Sequence, residues 1–162
     1  MFGLFKKQTR EDPQFGLLVR KRVAWTGTLR TGEAWTGTLR TPLFPEIDLA
    51  IIIEAQDENE FAVFRRHLEQ VTVHCESIRS EIASAALETY RMYQDAERDK
   101  ETYEDISSRD GIWPLVKPLK WYFSPGEKEY KSRVVIDFGW PNDHYLVAYL
   151  ADTELYHLNV EG

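Results

Sequence analysis

Apolar and polar residues alternate with a period of two near both ends of the chain, and this pattern predicts β-strands. The clearest example lies in the C-terminal third, where Val134, Ile136 and Phe138 alternate with Arg133, Val135 and Asp137. A buried strand is predicted over residues 47–55, which are rich in apolar side chains, and a further strand over 119–123. Both ends of the chain are therefore expected to contribute to a sheet.

A hairpin is predicted at the C-terminus, with Asp152-Thr153 as a two-residue turn. In this register the cross-strand pairs are Tyr149 with Tyr156, Val147 with Leu158, and Tyr145 with Val160. One face of the hairpin then becomes wholly apolar or aromatic, and matched pairs of this kind stabilise a sheet.

The hydrophobic period changes to that of a helix in the middle of the chain. Asp57, with Glu60 three residues later, has the pattern of a capping box at a helix start. The β-branched run 71–73 predicts a break, after which Thr72 would cap a second helix. The apolar stripes of the two helices are Phe61, Phe64, Leu68 and Val71, then Ile78, Ile82, Ala85, Ala86, Tyr90 and Tyr93.

The order of elements is strands, two helices and strands again, and this grouping predicts an α+β fold. We expect an antiparallel sheet with the two central helices packed on one face. A length of 162 residues suits one domain rather than two. We assign residues 1–14 to a flexible N-terminal tail and residues 15–162 to the single domain.

An eight-residue segment occurs twice, over 24–31 and 34–41, as Ala-Trp-Thr-Gly-Thr-Leu-Arg-Thr. In a strand, its Trp, Gly and Leu would share one face. Antiparallel pairing of the two copies would set Trp25 opposite Leu39 and Leu29 opposite Trp35. Two interpretations follow. The duplication only lengthens a hairpin, or the 24–41 hairpin forms a β-arm that makes a homo-oligomer contact.

Charge and cysteine content exclude several classes of function. The chain has 27 acidic and 20 basic residues, a net charge of -7, which argues against a nucleic-acid binder. Cys75 is the only cysteine, so neither an intrachain disulfide nor a cysteine-based zinc site is expected. No apolar run has the length of a membrane helix. We expect a cytoplasmic protein without a cofactor, a metal or a membrane partner.

The strongest candidate for polar chemistry is the turn between two C-terminal strands, which contains Trp140, Asp143 and His144. Asp143 could orient the His144 imidazole, and Asp137 or Asp48 could supply a further carboxylate. The alternative is structural: Trp140 closes the end of the sheet and His144 binds the turn backbone.

Two further histidines, His67 and His74, lie seven residues apart and would share a face of one helix. No carboxylate–histidine spacing typical of a zinc site accompanies them. We expect both to have structural or solvent-exposed roles.

Three features occur in a characteristic order: Phe15-Gly16, a Trp-x-Gly strand (25–27 or 35–37) and, after two helices, Trp140-x-x-x-His144. In this order the chain resembles a group of uncharacterised bacterial domains whose signature is commonly Trp-Asp-x-Glu-His-Gly. Some members of the group are thought to be immunity proteins of polymorphic toxin systems. The resemblance implies a small cytosolic α+β domain without established catalytic activity.

The signature is matched in part. Trp140 and His144 agree with it, and Asp143 stands where the group has Glu. Pro141 and Tyr145 replace its Asp and its Gly. These departures bear on the polar site of the group rather than on the fold.

We therefore expect a non-enzymatic interaction protein, of the immunity type, that neutralises a toxin domain. The acidic charge, including the stretch 95–110, would suit a basic partner. One alternative is a hydrolytic enzyme that uses Asp143 and His144. The other is an assembly module that uses the duplicated arm.

Overall fold

The computed structural model describes residues 7–24, 31–96, 104–126, 128–139 and 144–162. These residues form an eight-stranded sheet in which the strands lie side by side in chain order. The strands are β1 (Thr9–Asp12), β2 (Gly16–Ala24), β3 (Thr31–Thr41), β4 (Phe44–Ile53), β5 (Lys117–Phe123), β6 (Ser132–Asp137), β7 (Tyr145–Leu150) and β8 (Leu155–Glu161). The helices are α1 (Glu58–Val73), α2 (Cys75–Ala96) and a short 3₁₀ helix, Arg109–Leu115.

The predicted antiparallel sheet with two helices packed on one face is wrong. β4 and β5 run parallel, so the sheet is mixed, and a 3₁₀ helix adds a third helical segment. The parallel pairing results from the path of the chain between β4 and β5. The helices lie within the connection from β4 to β5, and a crossover of this kind returns the chain beside β4 in the same direction. The coarser α+β description still fits a large sheet with grouped helices.

The hydrophobic core has two parts. The main cluster joins helical residues to one alternating set of strand positions, including Phe61, Phe64, Ile78, Ile82, Ile51, Ile53, Trp121 and Phe123. A smaller cluster takes the opposite set of strand positions: Ala34, Ile52, Tyr122, Val135 and Val147. Successive side chains of a strand point to opposite faces, so both faces of the sheet bury apolar side chains.

The start of α1 confirms Asp57 as the cap, while Glu60 reaches back to the residue before the cap rather than to Asp57 itself. Asp57 Oδ1 accepts a hydrogen bond from the Glu60 amide at 3.0 Å, and Glu60 Oε2 accepts one from the Gln56 amide at 2.5 Å. The predicted cap at Thr72 is wrong, because α1 continues to Val73. The Thr72 hydroxyl instead donates to the carbonyl four residues earlier.

The register predicted for the C-terminal hairpin is wrong by one residue. Tyr149 pairs with His157 rather than with Tyr156, and a bulge follows between Tyr149 and Leu150. The Ala151 amide donates to the Glu154 carbonyl across Asp152 and Thr153, as a two-residue turn requires, so the register changes at the bulge and not at the turn. A one-residue slip exchanges the faces of a strand. The core-facing pairs are therefore Leu146 with Val160 and Ala148 with Leu158.

The second copy of the duplicated segment lies in β3, which pairs with β2 on one side and β4 on the other. Trp35 pairs with Arg20, so the predicted pairing of the two copies is wrong. Trp35 and Leu39 do pack on the main core, as their shared face predicts. A Cβ atom on Gly37 would lie 2.9 Å from the Leu18 side chain and 3.0 Å from the Leu17 carbonyl oxygen, so a larger residue here would force its neighbours to shift.

Most of the first copy, residues 25–30, lies outside the described residues, and an oligomer contact through the 24–41 hairpin stays a prediction. Part of the segment assigned to the N-terminal tail, Thr9–Asp12, is the edge strand β1. In the part of the chain that the structure describes, no helix is long and apolar enough to cross a membrane.

Candidate functional site

Of the predicted site residues, Trp140 and Asp143 lie outside the described residues. His144 is half-buried and directly precedes β7. The next residue, Tyr145, pairs with Asp137, so His144 and Asp137 lie at the same end of neighbouring strands. Of the candidate polar residues that the structure describes, His144 and Asp137 are the pair that the sheet brings to the same end.

The two carboxylates considered for this site have other partners. Asp137 Oδ1 accepts a hydrogen bond from the Gly139 amide at 2.8 Å and so stabilises the turn after β6. Asp48 lies on β4 and forms an ion pair with Arg40 of β3 at 2.9 Å. These contacts are typical of structural carboxylates.

A polar cluster that the sequence interpretation missed is centred on His67 of α1. Nδ1 of His67 lies 2.8 Å from Oδ1 of Asp152, and Nε2 lies 2.7 Å from Oγ of Ser132. Lys131 Nζ lies 3.1 Å from the other oxygen of Asp152. We call His67, Ser132, Asp152 and Lys131 the relay. It links α1 to the start of β6 and to the turn between β7 and β8.

The fold places His67 among apolar neighbours. Its side chain belongs to the buried stripe of α1 with Phe64 and Leu68, and its ring lies edge-on to Phe123 at 6.1 Å between centroids. A buried imidazole is costly unless its nitrogens are hydrogen-bonded, and the relay satisfies both. The buried face of α1 could be predicted from the helical spacing of its apolar residues. The partners could not, because they lie 65 and 85 residues away in the chain.

The electrostatics of the relay fix its protonation state. Burial lowers the pKa of His67 below its ordinary value of 6.5, against the opposing effect of Asp152. Burial acts to raise the pKa of Asp152, but hydrogen bonds from His67 and Lys131 outweigh it and the pKa is lowered. At neutral pH, His67 is therefore neutral. Its Nδ1–H donates a hydrogen bond to the Asp152 carboxylate, and its Nε2 accepts a hydrogen bond from the Ser132 hydroxyl.

The connectivity of Ser132, His67 and Asp152 is that of a serine nucleophile, its general base and an orienting carboxylate. The burial of Ser132 differs from that of a serine nucleophile, because Ser132 is only 2% exposed. A nucleophile must reach its substrate, and this hydroxyl faces the interior. In the folded state the arrangement can hold three elements together, but it presents no serine to solvent.

An aromatic cluster lies beside the relay. The Tyr130 ring packs edge-on against Tyr149 at 4.6 Å and lies 6.0 Å from Tyr156, and Tyr149 stacks on His157 at 6.2 Å. Tyr156 is the extra residue of the β8 bulge and is 50% exposed. Bulges redirect side chains at sheet edges. We call these four residues the aromatic cluster.

Polar contacts hold Tyr149 in place within the aromatic cluster. Its hydroxyl donates to the Glu161 carboxylate, and burial together with Glu161 raises the pKa of Tyr149 to about 12. Arg133 lies 4.0 Å from Glu161 and covers the Tyr122 ring at 4.9 Å. These contacts fix the position of Tyr149 within the cluster.

Relay and aromatic cluster share one stretch of chain. Lys131 and Ser132 belong to the relay, whereas Tyr130 before them packs on Tyr149 and Arg133 after them covers the Tyr122 ring. The relay thus fixes the segment that presents the cluster. Among the described ranges, no group of three or more His, Cys, Asp or Glu side chains is placed to hold a metal ion.

A protein-family model matches residues 25–155, which is most of the chain. The family is described as a domain of unknown function, DUF6985. The chain belongs to this family. The DUF6985 match confirms the resemblance to an uncharacterised domain group, while the Trp140-x-x-x-His144 signature and the immunity-type members stay predictions. No curated protein and no solved structure matches the chain. The matched range contains His67, Ser132 and Asp152.

Proposed function

We propose that this DUF6985 protein is a non-enzymatic interaction protein of the immunity type, which binds a basic protein domain. The aromatic cluster is the observation that carries the proposal. Tyrosine and arginine are enriched where proteins bind each other, because they bury a large area and retain a polar group. Tyr156 and His157 are exposed, and Arg133 adjoins them through Tyr149 and Glu161.

Preorganisation supports the same proposal. Ordering side chains upon association lowers the affinity, so a surface that is already ordered binds better. Tyr130 is held between Tyr149 and Tyr156, and the relay anchors the neighbouring Lys131 and Ser132. Recognition therefore requires little rearrangement of this surface.

The charge of the chain indicates the chemistry of the partner. A net charge of -7 favours encounter with a basic domain and accelerates association at low salt. Acidic side chains within the stretch 95–110 include the described residues Asp95, Glu104, Asp105 and Asp110. A toxin domain as the partner follows from the resemblance to immunity proteins.

The test begins with the product of the adjacent gene, purified and titrated against this protein by calorimetry. Tyr156→Ala should raise the Kd about tenfold to thirtyfold, as expected for a residue contributing roughly 1.4–2 kcal/mol. Met92→Ala is the matched control, because Met92 is an exposed apolar residue of α2 outside the cluster. An unchanged Kd for Tyr156→Ala, or no binding by a toxin-like neighbour, would contradict the proposal.

A hydrolytic enzyme is the second candidate, and the relay is the specific observation that favours it. Ser132 would have to become accessible, which requires the start of β6 to separate from α1. A fluorophosphonate probe should then label the wild-type chain and not Ser132→Ala. For the turn containing Asp143, the expectation is that His144→Ala abolishes an activity without lowering the Tm. Absence of labelling, together with a lowered Tm, would leave both sites structural.

A further inference from the structure

The outer edge of β8 is free among the described strands. β8 ends the sheet and pairs only with β7 there. Natural edge strands are usually protected by lysine, proline, shortness or inward charge. β8 has seven residues, Leu-Tyr-His-Leu-Asn-Val-Glu, and its single charged side chain is at the end. An edge of this composition is suited to pairing with another strand.

Only the beginning of this edge is covered within the described part of the chain. Glu81 of α2 accepts a hydrogen bond from the Leu155 amide at 2.6 Å, and the bulge at Tyr156 bends the strand. Residues 157–161 lie beyond both features. They form a regular segment in which His157 and Asn159 are exposed.

We propose that residues 157–161 pair antiparallel with the same segment of a second copy of this chain. Asn159 would lie on the two-fold axis and face Asn159 of the other copy. Leu158 would then face Val160, and His157 would face Glu161. Each cross-strand pair is matched: amide with amide, apolar with apolar, imidazole with carboxylate. A contact of this kind is isologous, as in most protein dimers.

The two faces of the sheet agree with this register. Leu158 and Val160 are partly buried against the main core, so their pairing would extend that core across the axis. His157, Asn159 and Glu161 lie on the opposite face with the aromatic cluster. Two aromatic clusters would then share one continuous face, while the backbone edge makes the dimer.

Neighbouring registers match less well. Centring the pair on Leu158 would set Glu161 against Leu155, whose amide is already held by Glu81, and would include the bulge. Centring it on Val160 leaves only residues 159–161 in the pair. The register centred on Asn159 is the longest one that avoids both the bulge and Glu81.

Sedimentation equilibrium over a concentration series tests the dimer. The wild-type chain should reach twice the monomer mass. Asn159→Asp should raise the dimer Kd about fivefold, because two carboxylates would face each other on the axis. Asn59→Asp is the matched control: it makes the same charge change at an exposed position in the first turn of α1 and should leave the Kd unaltered. A wild-type chain that stays monomeric, or equal effects of the two variants, would overturn the proposal.

Cross-linking provides a second measurement that does not depend on a loss of association. Opposed residues of antiparallel strands have Cα atoms about 4.5–5.5 Å apart, within the range of a disulfide. In a Cys75→Ser background, Asn159→Cys should form a covalent dimer with diamide as the oxidant, whereas Asn59→Cys should not. Equal yields from the two positions would refute the Asn159 axis. Unchanged circular dichroism of each variant verifies its fold.

Discussion

At one edge of the sheet, β1 has four residues, of which three are charged; at the other, β8 has seven, of which one is charged. Both edges are anchored to α1, through Arg65 and His67, which are two residues apart. Arg65 binds the buried carboxylate of Asp12 in β1 at 3.1 Å. His67 binds Asp152 in the turn that leads into β8. We call the Arg65–Asp12 contact the β1 anchor and the His67–Asp152 contact the β8 anchor. The β1 anchor uses a charged residue of the strand itself, whereas the β8 anchor uses a neutral imidazole that binds the turn before the strand.

The contacts of β1 protect that edge. The Asp12 carboxylate also accepts hydrogen bonds from the amides of Gln14 and Phe15, at 3.0 and 3.2 Å. Arg10 pairs with Glu58 and lies 3.7 Å above the Phe61 ring. Short length and fixed charge keep a strand from pairing with other chains. Among the described residues, no comparable contact protects residues 157–161, and the proposed pairing of β8 with a second copy is based on this difference between the two edges.

Removing the β1 anchor should have the largest effect. Asp12→Ala would remove the acceptor of Arg65 Nε and of two backbone amides, although Arg65 keeps its contact with Glu58, and should lower the free energy of unfolding by about 2–3 kcal/mol. Chemical denaturation measures this loss. Glu11→Ala changes an exposed charge on the same strand and should cost much less. Equal losses for the two variants would show that Asp12 is not an anchor.

Acid should weaken the β8 anchor before the β1 anchor. The pKa of His67 is lowered from 6.5 by burial, so the unfolded chain binds a proton that the folded chain does not, and stability falls as the pH drops below 6.5. For Asp12, burial acts to raise the pKa, but amide and Arg65 contacts outweigh it and lower the pKa below 3.8. Its contribution is therefore lost only as the pH falls below 3.8.

Denaturation at a series of pH values tests this order. The wild-type chain should lose stability on acidification from pH 6.5, and His67→Gln should remove that dependence while retaining the loss below pH 3.8. A His67→Gln variant with an unaltered pH profile would mean that the imidazole does not couple to folding.

The start of α1 was predictable because Asp57 and Glu60 form the cap within a few residues of each other. Strands β3 to β8 were predictable for a similar reason, since alternation is local, whereas β1 lies in the segment assigned to a flexible tail. The parallel pair of β4 and β5 depends on where a long connection returns, and the β7–β8 register depends on a bulge.

The candidate site was less predictable than the fold. The His67 relay assembles from residues far apart in the chain, and no local pattern marks Ser132 or Asp152 as its partners. The turn that the sequence favoured contributes His144 to the described structure, without Asp143 or Trp140. Polar sites that form between distant elements need the topology before they can be recognised.

The smallest effect is expected within β8 itself. Glu161→Gln removes the carboxylate that helps to raise the pKa of Tyr149 to about 12, so this pKa should move toward its ordinary value of 10. NMR titration of ring-labelled tyrosine measures the shift. Glu129→Gln is an exposed control next to Tyr130 and should leave the Tyr149 pKa unaltered. If the pKa of Tyr149 does not change in Glu161→Gln, burial alone raises it.

Hydrogen exchange at low and high protein concentration compares the two edges directly. If the β8 edge pairs with a second copy, the amides of residues 157–161 should exchange more slowly as the concentration rises, while those of Thr9–Asp12 should not change. Protection of residues 157–161 that is independent of concentration, or protection that rises equally at both edges, would contradict the account.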